Sequence, residues 1–563
     1  MQILFLTLIS FYFFINNTFS QEQIEEKHNC GFLEYNKISN KFYLENTKKR
    51  NLELYNKLID KSNDKIHKNN LFKIGDELSF FTYNRVKEDY EEVKATLKSE
   101  GDQIRIWVEN NELKRINSNT LTSTISQLTD ALEKKTSSKS RNPNLGILDN
   151  DEEVFGKAST KYKFNNKTDF LLLDIKQPSG GGVILGYFSK IDQTDEIGSN
   201  KLNILYIDSK EGIAGGINQI LSTLAHEFQH LIHNGKNPDS EISINEGCSE
   251  TASILCGYIT RGNSIYFKKT NTDLFRWTNE NNNDLLADYE RMMTYIEYIY
   301  EQAGEKTLTE LVKNQNYGSD RINEALKISK SNFSWQELHK NYSIALYLQS
   351  NDDPRYSFKQ KLTLSSAPKP TQITYNGLNY PSTNSIAFES FGISYITYNN
   401  PTGLQVKFKS NYPNSISAIL FRGINVYEIV DLKNNVDYCL GERGYFDKIV
   451  FAISSKSIDE QIVEWSSSNC LAGVNENLSN LKTSYKLSQN NLKVQVQVDK
   501  NTKLEYRVFD LNGKNISDKI NYKELYLGEN IFNVDLSNQS SGIYILNMIT
   551  ENGISNVLFN YKN

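Results

Sequence analysis

The sequence His226-Glu227-Phe228-Gln229-His230, followed by Asn245-Glu246-Gly247-Cys248-Ser249-Glu250, decides how this chain is interpreted. Two histidines four residues apart lie one turn above each other on a helix, so both imidazoles can reach the same ion. A carboxylate from a second helix would complete three ligands and leave a fourth position open, as catalytic zinc requires. The two segments therefore predict one Zn²⁺ per chain, bound by His226, His230 and Glu246.

Two further carboxylates flank these ligands. Glu227 follows the first histidine and can take a proton from a metal-bound water, which makes it the predicted general base. Glu250 lies four residues after Glu246 and can accept the outer N–H of a ligand histidine, which fixes its tautomer. Two alternatives stay open on spacing alone. Glu250 could be the ligand instead, and Glu246 could close a capping box with Ser243 at the start of its helix.

The first motif lies in a predicted amphipathic helix. Its apolar residues recur at intervals of three and four, and their stripe centres near Phe228. His226 and His230 point almost opposite, toward a cleft or toward solvent, and a solvated histidine pair is the alternative to a metal site. Three ligands in line along one helix cannot converge on an ion, so His233 is predicted at the rim or just outside the ligands. Asn234-Gly235 predicts that the helix ends there with a left-handed cap.

The two motifs resemble the gluzincin pattern of thermolysin-like and aminopeptidase-like zinc peptidases. In that pattern the Glu after Asn binds the metal, and the acid four residues later supports a ligand. Residues 222–232, 244–250 and 202–208 are similar to the signature segments of the hyicolysin-like group of secreted bacterial metallopeptidases. The resemblance covers roughly residues 150–330. It implies a gluzincin-like peptidase core in which strands precede helices.

The same resemblance suggests a further catalytic group. The aminopeptidase-like branch stabilises the oxyanion with a tyrosine on a later helix, and Tyr289 occupies that position here. Core packing is the alternative for this tyrosine. The apolar runs 170–175 and 183–188 are typical of buried strands, and one of them would pair with an extended substrate backbone. The glycines at 180–182 are not followed by the Gly-Lys-Ser/Thr of a phosphate-binding loop, which excludes that function.

The predicted fold class is multidomain α+β, with a peptidase core followed by all-β sandwich-like domains. An apolar run too short to span a membrane opens the chain and predicts a signal peptide cleaved after Ser20. The loop-like segment 136–143 predicts a boundary, either an interdomain linker or a processing site at Lys139 or Arg141. The predicted segments are 1–20 (signal peptide), 21–141 (mixed N-terminal domain or propeptide), 142–365 (zinc metallopeptidase domain), 366–471 (β-sandwich) and 478–563 (C-terminal β-sandwich sorting domain).

The last of these segments carries a second resemblance. Residues 504–514, 533–537 and 541–547 are similar to the C-terminal sorting domain of the type nine secretion system. That resemblance implies the secretion machinery as a partner and a secreted or cell-surface location. An ordinary immunoglobulin-like accessory domain is the alternative.

Composition bounds the remaining possibilities. A net charge of −5 without a basic patch argues against nucleic acid as a partner, and no second long apolar run predicts a transmembrane segment in the mature chain. Cys248 and Cys256 are predicted buried thiols, whereas Cys439 and Cys470 flank one β-rich segment and could bridge it. The run 149–153 is acidic enough to bind calcium, although such runs are usually just solvated.

These observations together predict a secreted zinc endopeptidase that acts on protein or peptide substrates. Two other functions stay open. An aminopeptidase would need acidic residues that hold the free amine of a substrate, and the sequence offers no dedicated motif for them. A surface adhesin would use the two β modules for binding and would keep an inactive peptidase core.

Overall fold

The computed structural model divides into two compact units, residues 1–269 with 274–369 and residues 270–273 with 370–563. The predicted signal peptide and the glycines at 180–182 lie outside the described part of the chain. No helix within that part is long and apolar enough to cross a membrane. The structure describes residues 28–29 and 72–562, apart from 179–182, 197–198, 259–261, 263, 279–282, 351, 359–369, 378–379, 382, 424, 441–445, 471–480, 489, 511–514, 517–520 and 551–552.

A six-stranded mixed sheet forms the centre of the first unit, in the order β2-β3-β4-β5-β8-β7. Strands β4, β5 and β8 run parallel and are buried along their whole length, as the apolar run 170–175 predicts for β5. Strand β7 pairs antiparallel with β8 at one end of the sheet, and β1 pairs separately with β6. The strands are β1 (His28–Asn29), β2 (Glu77–Asn84), β3 (Asp89–Glu100), β4 (Ile104–Glu109), β5 (Thr168–Leu173), β6 (Val183–Ile184), β7 (Gly186–Phe188) and β8 (Ile204–Asp208).

Helices cover this sheet and build the site. The helix that carries both motif histidines, α5, packs against β7 and α3 on one side and against α6 on another, and α6 packs in turn against α7. The described helices are α1 (Asn110–Arg115), α2 (Ser118–Glu133), α3 (Ile147–Phe155), α4 (Glu211–Gly215), α5 (Ile217–Lys236), α6 (Ile242–Leu255), α7 (Asn283–Ala303), α8 (Glu305–Lys313), α9 (Gly318–Ser329) and α10 (Trp335–Leu348).

The sheet continues across the boundary predicted at residue 141. Strands β2 to β4 precede that boundary and pair through β4 with β5, which follows it. Arg141 itself forms ion pairs with Glu153 and Glu305, and its backbone N–H donates to the carbonyl of Leu255. Residues 72–141 are therefore built into the same unit as the motif helices, although a loop composition surrounds residue 141.

The predicted end of the motif helix is wrong. Helix α5 continues past Gly235 to Lys236, and its C-cap, Asn237, has φ −147° rather than a left-handed conformation. Gly235 lies in the helix beside Ser159, whose Cβ would be 3.0 Å from a side chain added to this glycine. A close approach of the neighbouring chain, not a cap, explains why glycine stands at this position.

Two β-sandwiches form the second unit, as the alternating patterns predict. The first pairs a four-stranded with a five-stranded sheet around a common apolar core, and the second pairs a three-stranded with a four-stranded sheet. Their strands are β9 (Gln372–Asn376), β10 (Asn384–Phe388), β11 (Ile393–Asn399), β12 (Leu404–Lys409), β13 (Asn414–Arg422), β14 (Asn425–Leu432), β15 (Asp437–Cys439), β16 (Lys448–Ser455), β17 (Gln461–Asn469), and then β18 (Lys482–Ser488), β19 (Asn491–Val498), β20 (Thr502–Asp510), β21 (Asn521–Leu525), β22 (Gly528–Asp535), β23 (Gly542–Thr550) and β24 (Gly553–Tyr561).

The described cysteines behave as predicted. Cys439 and Cys470 form a disulfide that closes the edge of the first sandwich, where β15 pairs with β12. Cys248 and Cys256 are free and buried in the first unit. Burial raises the pKa of Cys248 to about 12, so this thiol stays protonated at neutral pH and is a packing residue.

Candidate metal centre

The structure brings three potential ligand atoms from α5 and α6 into one triangle. Nε2 of His226 lies 3.0 Å from Nε2 of His230, and Oε2 of Glu246 lies 3.2 Å from the first nitrogen and 3.4 Å from the second. Tetrahedral zinc with bonds of about 2.0–2.1 Å separates its ligands by about 3.3–3.4 Å. The three atoms therefore stand at the spacing that one zinc ion needs. Among the described residues, no other group of His, Cys, Asp and Glu side chains converges in this way.

The outer nitrogen of each histidine faces a residue of the second motif. Nδ1 of His226 lies 3.4 Å from Oε1 of Glu250, and Nδ1 of His230 lies 3.0 Å from Oδ1 of Asn245. Acceptors at both outer nitrogens hold the hydrogens on Nδ1 and leave the Nε2 lone pairs directed at the centre of the triangle. The same helix that contributes Glu246 thus orients both imidazoles. Asn245 had no predicted role, although it stands in the second motif.

Electrostatics at the triangle favour a cation. Both carboxylate oxygens of Glu246 are buried and have no hydrogen-bond partner among the described residues. Burial alone would raise the pKa of Glu246, but the facing histidines outweigh that effect and lower it. Burial likewise would lower the pKa of His226, yet Glu246, Glu250 and the nearby Glu227 raise it. A buried carboxylate whose lone pairs are unused and two nitrogens with inward lone pairs fit a divalent metal.

Glu227 is held beside the triangle by the edge of the sheet. Its Oε2 accepts the backbone N–H of Phe188 in β7 at 2.9 Å, and its side chain is almost fully buried. Gly186 in the same strand allows the close approach, because a Cβ there would lie 2.7 Å from Thr223 and 2.8 Å from the carbonyl oxygen of Tyr206. Strand β7 therefore lies directly against α5 at the position of the predicted general base.

Tyr289 is placed on the helix that packs against the second motif. It lies in α7 on the same face as Met292 and Ile296, and both of these contact the position of Gly247 in α6. Its ring is buried and packs edge to face against Trp277 at 4.8 Å between centroids. The tyrosine is thus buried on the side of α7 that faces α6.

Burial and hydrogen bonds decide between alternatives that the sequence left open for the two motif helices. Of the two positions predicted for His233, the rim is wrong and a position just outside the ligands stays open, because the side chain is completely buried and its Nε2 lies 2.9 Å from Nη2 of Arg321. The polar face of α5 is likewise covered, because helix α6 packs over it. The capping box between Ser243 and Glu246 is absent, since α6 begins at Ile242 and the Glu246 carboxylate accepts no such bond.

The acidic run at 149–153 forms part of α3, and its carboxylates face different partners. Glu152 pairs with Lys157 and Lys163, and Glu153 pairs with Arg141. Asp151 is completely buried, with Oδ1 3.5 Å from the sulfur of Cys256, and burial raises its pKa well above the usual value. These side chains are not arranged around a common point, so the structure gives the calcium hypothesis no support.

Comparison with known proteins finds one match to the C-terminal region and another to a metallopeptidase. Residues 488–558 match the family described as a secretion system C-terminal sorting domain. The chain is also 23% identical over 297 residues to the neutral metalloprotease ShpI of Staphylococcus hyicus, a match that covers 49% of this chain. It spans 63% of the length of that relative, slightly less than two thirds.

Solved structures add no argument about the fold. A periplasmic lysozyme inhibitor of Salmonella Typhimurium matches 17% of this chain and 99% of its own at 12% identity, with a TM-score of 0.14. The pre-peptidase C-terminal domain of a collagenase from Bacillus anthracis matches 17% of this chain and 95% of its own at 13% identity, with a TM-score of 0.13. The sequence matches are the informative ones: this chain resembles a metallopeptidase, ends in a sorting domain, and is secreted or held at the cell surface.

Proposed function

We propose that this protein is a zinc-dependent endopeptidase with a gluzincin-like core. The triangle of His226, His230 and Glu246 is the observation that carries the proposal, because its spacing and its unused carboxylate oxygens fit one zinc ion. The similarity to a neutral metalloprotease supports the same class of reaction. A bound zinc ion would lower the pKa of a water to about 7 and polarise the carbonyl of a peptide bond.

Glu227 is the proposed general base and proton shuttle. Its carboxylate takes a proton from the attacking water and delivers it to the leaving amine. The N–H of Phe188 holds one oxygen of this carboxylate, so its orientation is set before substrate arrives. Glu250 has the supporting role: by accepting from Nδ1 of His226 it keeps the other ring nitrogen available for the metal.

Tyr289 is proposed to donate to the oxygen that becomes negative as the peptide bond is attacked. Its place on the α6-facing side of α7 supports this role. Strand β7 ends the sheet and lies against Glu227, and an extended substrate backbone is proposed to pair with groups of β7 other than the Phe188 N–H, which donates to Glu227. Backbone pairing requires no free terminus on the substrate, which favours internal cleavage over aminopeptidase activity.

Metal content and casein hydrolysis of the full chain, measured in parallel with Glu227→Gln, test the proposal. We expect about one zinc in both proteins and activity in the parent alone, because the substitution removes the base and keeps the three ligands. A parent that binds no zinc would overturn the metal site. Binding of the chain to cells or matrix in the presence of a chelator, without hydrolysis, would instead favour an adhesin.

A pair of short peptides separates the two kinds of peptidase. One carries a free amino terminus and the other is acetylated, with the same internal sequence. An endopeptidase that recognises substrate through β7 cleaves both at similar rates. An aminopeptidase cleaves only the free form, because it must hold a charged amine.

A further inference from the structure

A continuous series of buried polar side chains leads from the metal centre to α9. Oγ of Ser249 lies 3.0 Å from Nδ1 of His230 and 2.5 Å from the side-chain amide of Gln229. The other end of that amide lies 3.4 Å from Nδ1 of His233, whose Nε2 lies 2.9 Å from Nη2 of Arg321. All five side chains are completely buried. We refer to these five residues as the buried relay.

The donors and acceptors of the buried relay can be assigned from its far end. Arginine only donates, so Nε2 of His233 must accept from Arg321. Burial, and then the charge of Arg321, lower the pKa of His233 well below its usual value, so the ring is neutral and its single N–H is on Nδ1. That N–H needs an acceptor, and the group facing it is the amide of Gln229.

The orientation of the Gln229 amide follows. In the structure Oε1 of Gln229 faces Ser249 and Nε2 faces His233, but the two ends have nearly the same shape and the hydrogen-bond network decides between them. If the amide nitrogen of Gln229 faced His233, both ring nitrogens would face donors, and the N–H of the neutral ring would have no acceptor. The amide oxygen must therefore face His233. The amide nitrogen then donates to Ser249, whose hydroxyl can donate to the carbonyl of Asn245 at 3.2 Å. Ser249 Oγ is thereby left to accept the Nδ1–H of His230 together with Oδ1 of Asn245, which lies at the same distance of 3.0 Å.

We propose that Arg321, His233 and Gln229 are positioning residues that act through Ser249 and, with Asn245, fix the tautomer of His230. The proposal rests on the proposed metal site and extends it to α9, 88 residues along the chain from His233. Arg321 is a rigid end for the relay, because it also donates to the carbonyl of Leu311 and to the hydroxyl of Ser240. Its guanidinium cannot lose a proton, so the direction of every bond in the relay is set.

Zinc affinity of the full chain, measured by competition with a chelator, is the first test. Gln229→Met keeps the volume and removes both amide ends, and we expect it to weaken zinc binding by about 10- to 100-fold. Thr251→Val is the matched control: Thr251 is buried in α6 like Ser249 but only donates to the carbonyl of Gly247. The control should bind zinc within about 2-fold of the parent.

A double variant separates a relay from a packing defect. Ser249→Ala removes the acceptor through which the relay reaches His230 and leaves Oδ1 of Asn245, so Gln229→Met should cause almost no further loss when both are present. Independent packing defects would instead multiply their effects. A parent without zinc would overturn the proposed function together with the relay. If Gln229→Met binds zinc as tightly as the parent does, the relay alone is overturned. The same follows if the losses of affinity in the two single variants multiply in the double variant.

The tautomer of His233 gives a readout that needs no metal. The side-chain ¹⁵N spectrum of histidine-labelled, metal-free full chain, assigned with a His233→Gln variant, should show His233 protonated on Nδ1 only. Protonation on Nε2 would overturn the proposal, since Arg321 could not then donate to that atom. This measurement is made on the parent fold, so it stands even if Gln229→Met fails to fold.

Discussion

The residues of the second motif have two proposed tasks, to bind the metal and to orient the two histidines. Glu246 is the proposed ligand, while its neighbour Asn245 and Glu250, one turn further on, face the outer nitrogens of the two histidines. Helical spacing explains part of this arrangement, since Glu246 and Glu250 are four residues apart and project toward the same side of α6. Asn245 had no predicted role, but the contacts of Glu246 and Glu250 could be predicted because both acids belong to one motif. Arg321 could not, because a single arginine 88 residues from His233 leaves no pattern in the sequence.

Replacing Tyr289 by phenylalanine tests the proposed oxyanion donor. The substitution removes one hydroxyl and keeps the ring, which packs against Trp277. We expect peptide hydrolysis to fall by about 10²- to 10³-fold through kcat, with zinc content and thermal stability close to those of the parent. Tyr295→Phe, in the same helix and equally buried, is the control and should retain activity. Equal activity of the two variants would remove Tyr289 from the mechanism.

We expect the buried carboxylate of Asp192 to make the free energy of unfolding depend on pH. Its carboxylate is buried and accepts from Asn200 and Tyr206, yet burial is the larger effect and raises its pKa to about 7. The folded state therefore holds a proton that the unfolded chain releases near pH 4, so the free energy of unfolding falls as pH rises from 4 to 7. The fall due to this group is about 4 kcal/mol at most.

Urea unfolding of the parent and of Asp192→Asn at several pH values between 4 and 8 measures this effect. The asparagine variant cannot titrate at this position, so its stability should fall less over the same range. A difference between the two proteins that does not change with pH would contradict the prediction.

At the level of elements, the hydrophobic pattern located the motif helices well but misplaced the end of one of them. The stripe centred on Phe228 is a property of α5 alone, so it can be read locally. Gly235 is instead explained by its close approach to Ser159, a contact between distant parts of the chain, and α5 ends one residue later at Lys236. The burial of the histidine face of α5 also depends on another part of the chain, because helix α6 packs over that face.

Gly247 sets how closely α6 and α7 approach. A Cβ at this position would lie 2.7 Å from Cγ1 of Ile296 and 3.0 Å from the carbonyl oxygen of Met292. We expect Gly247→Ala to lower the free energy of unfolding by about 1–3 kcal/mol, because the backbone of α7 must move. Gly212→Ala is the control: its nearest neighbour, Ile220, lies at an ordinary 3.5 Å, so denaturant unfolding should show little or no loss.

For the whole molecule, composition and alternation predicted the two kinds of architecture but not how the chain is divided. Two β-sandwiches follow a mixed sheet with helices, as expected. Strands β2 to β4, however, join the sheet that contains β5 and β8, across a segment with the composition of a linker. This strand pairing cannot be predicted from a short stretch of sequence, because β4 has the same residues whether its partner strand belongs to its own domain or to the next.

The disulfide gives a prediction that depends on the division into two units. Cys439 and Cys470 are 31 residues apart in the second unit, whereas the metal centre lies in the first. Replacing both with serine should lower the free energy of unfolding of the all-β unit by about 3–4 kcal/mol, because the unfolded loop regains its freedom. Zinc affinity and hydrolysis should stay at the parent values. Reductant should destabilise the parent alone, and a loss of zinc binding in the serine variant would show that the two units depend on each other.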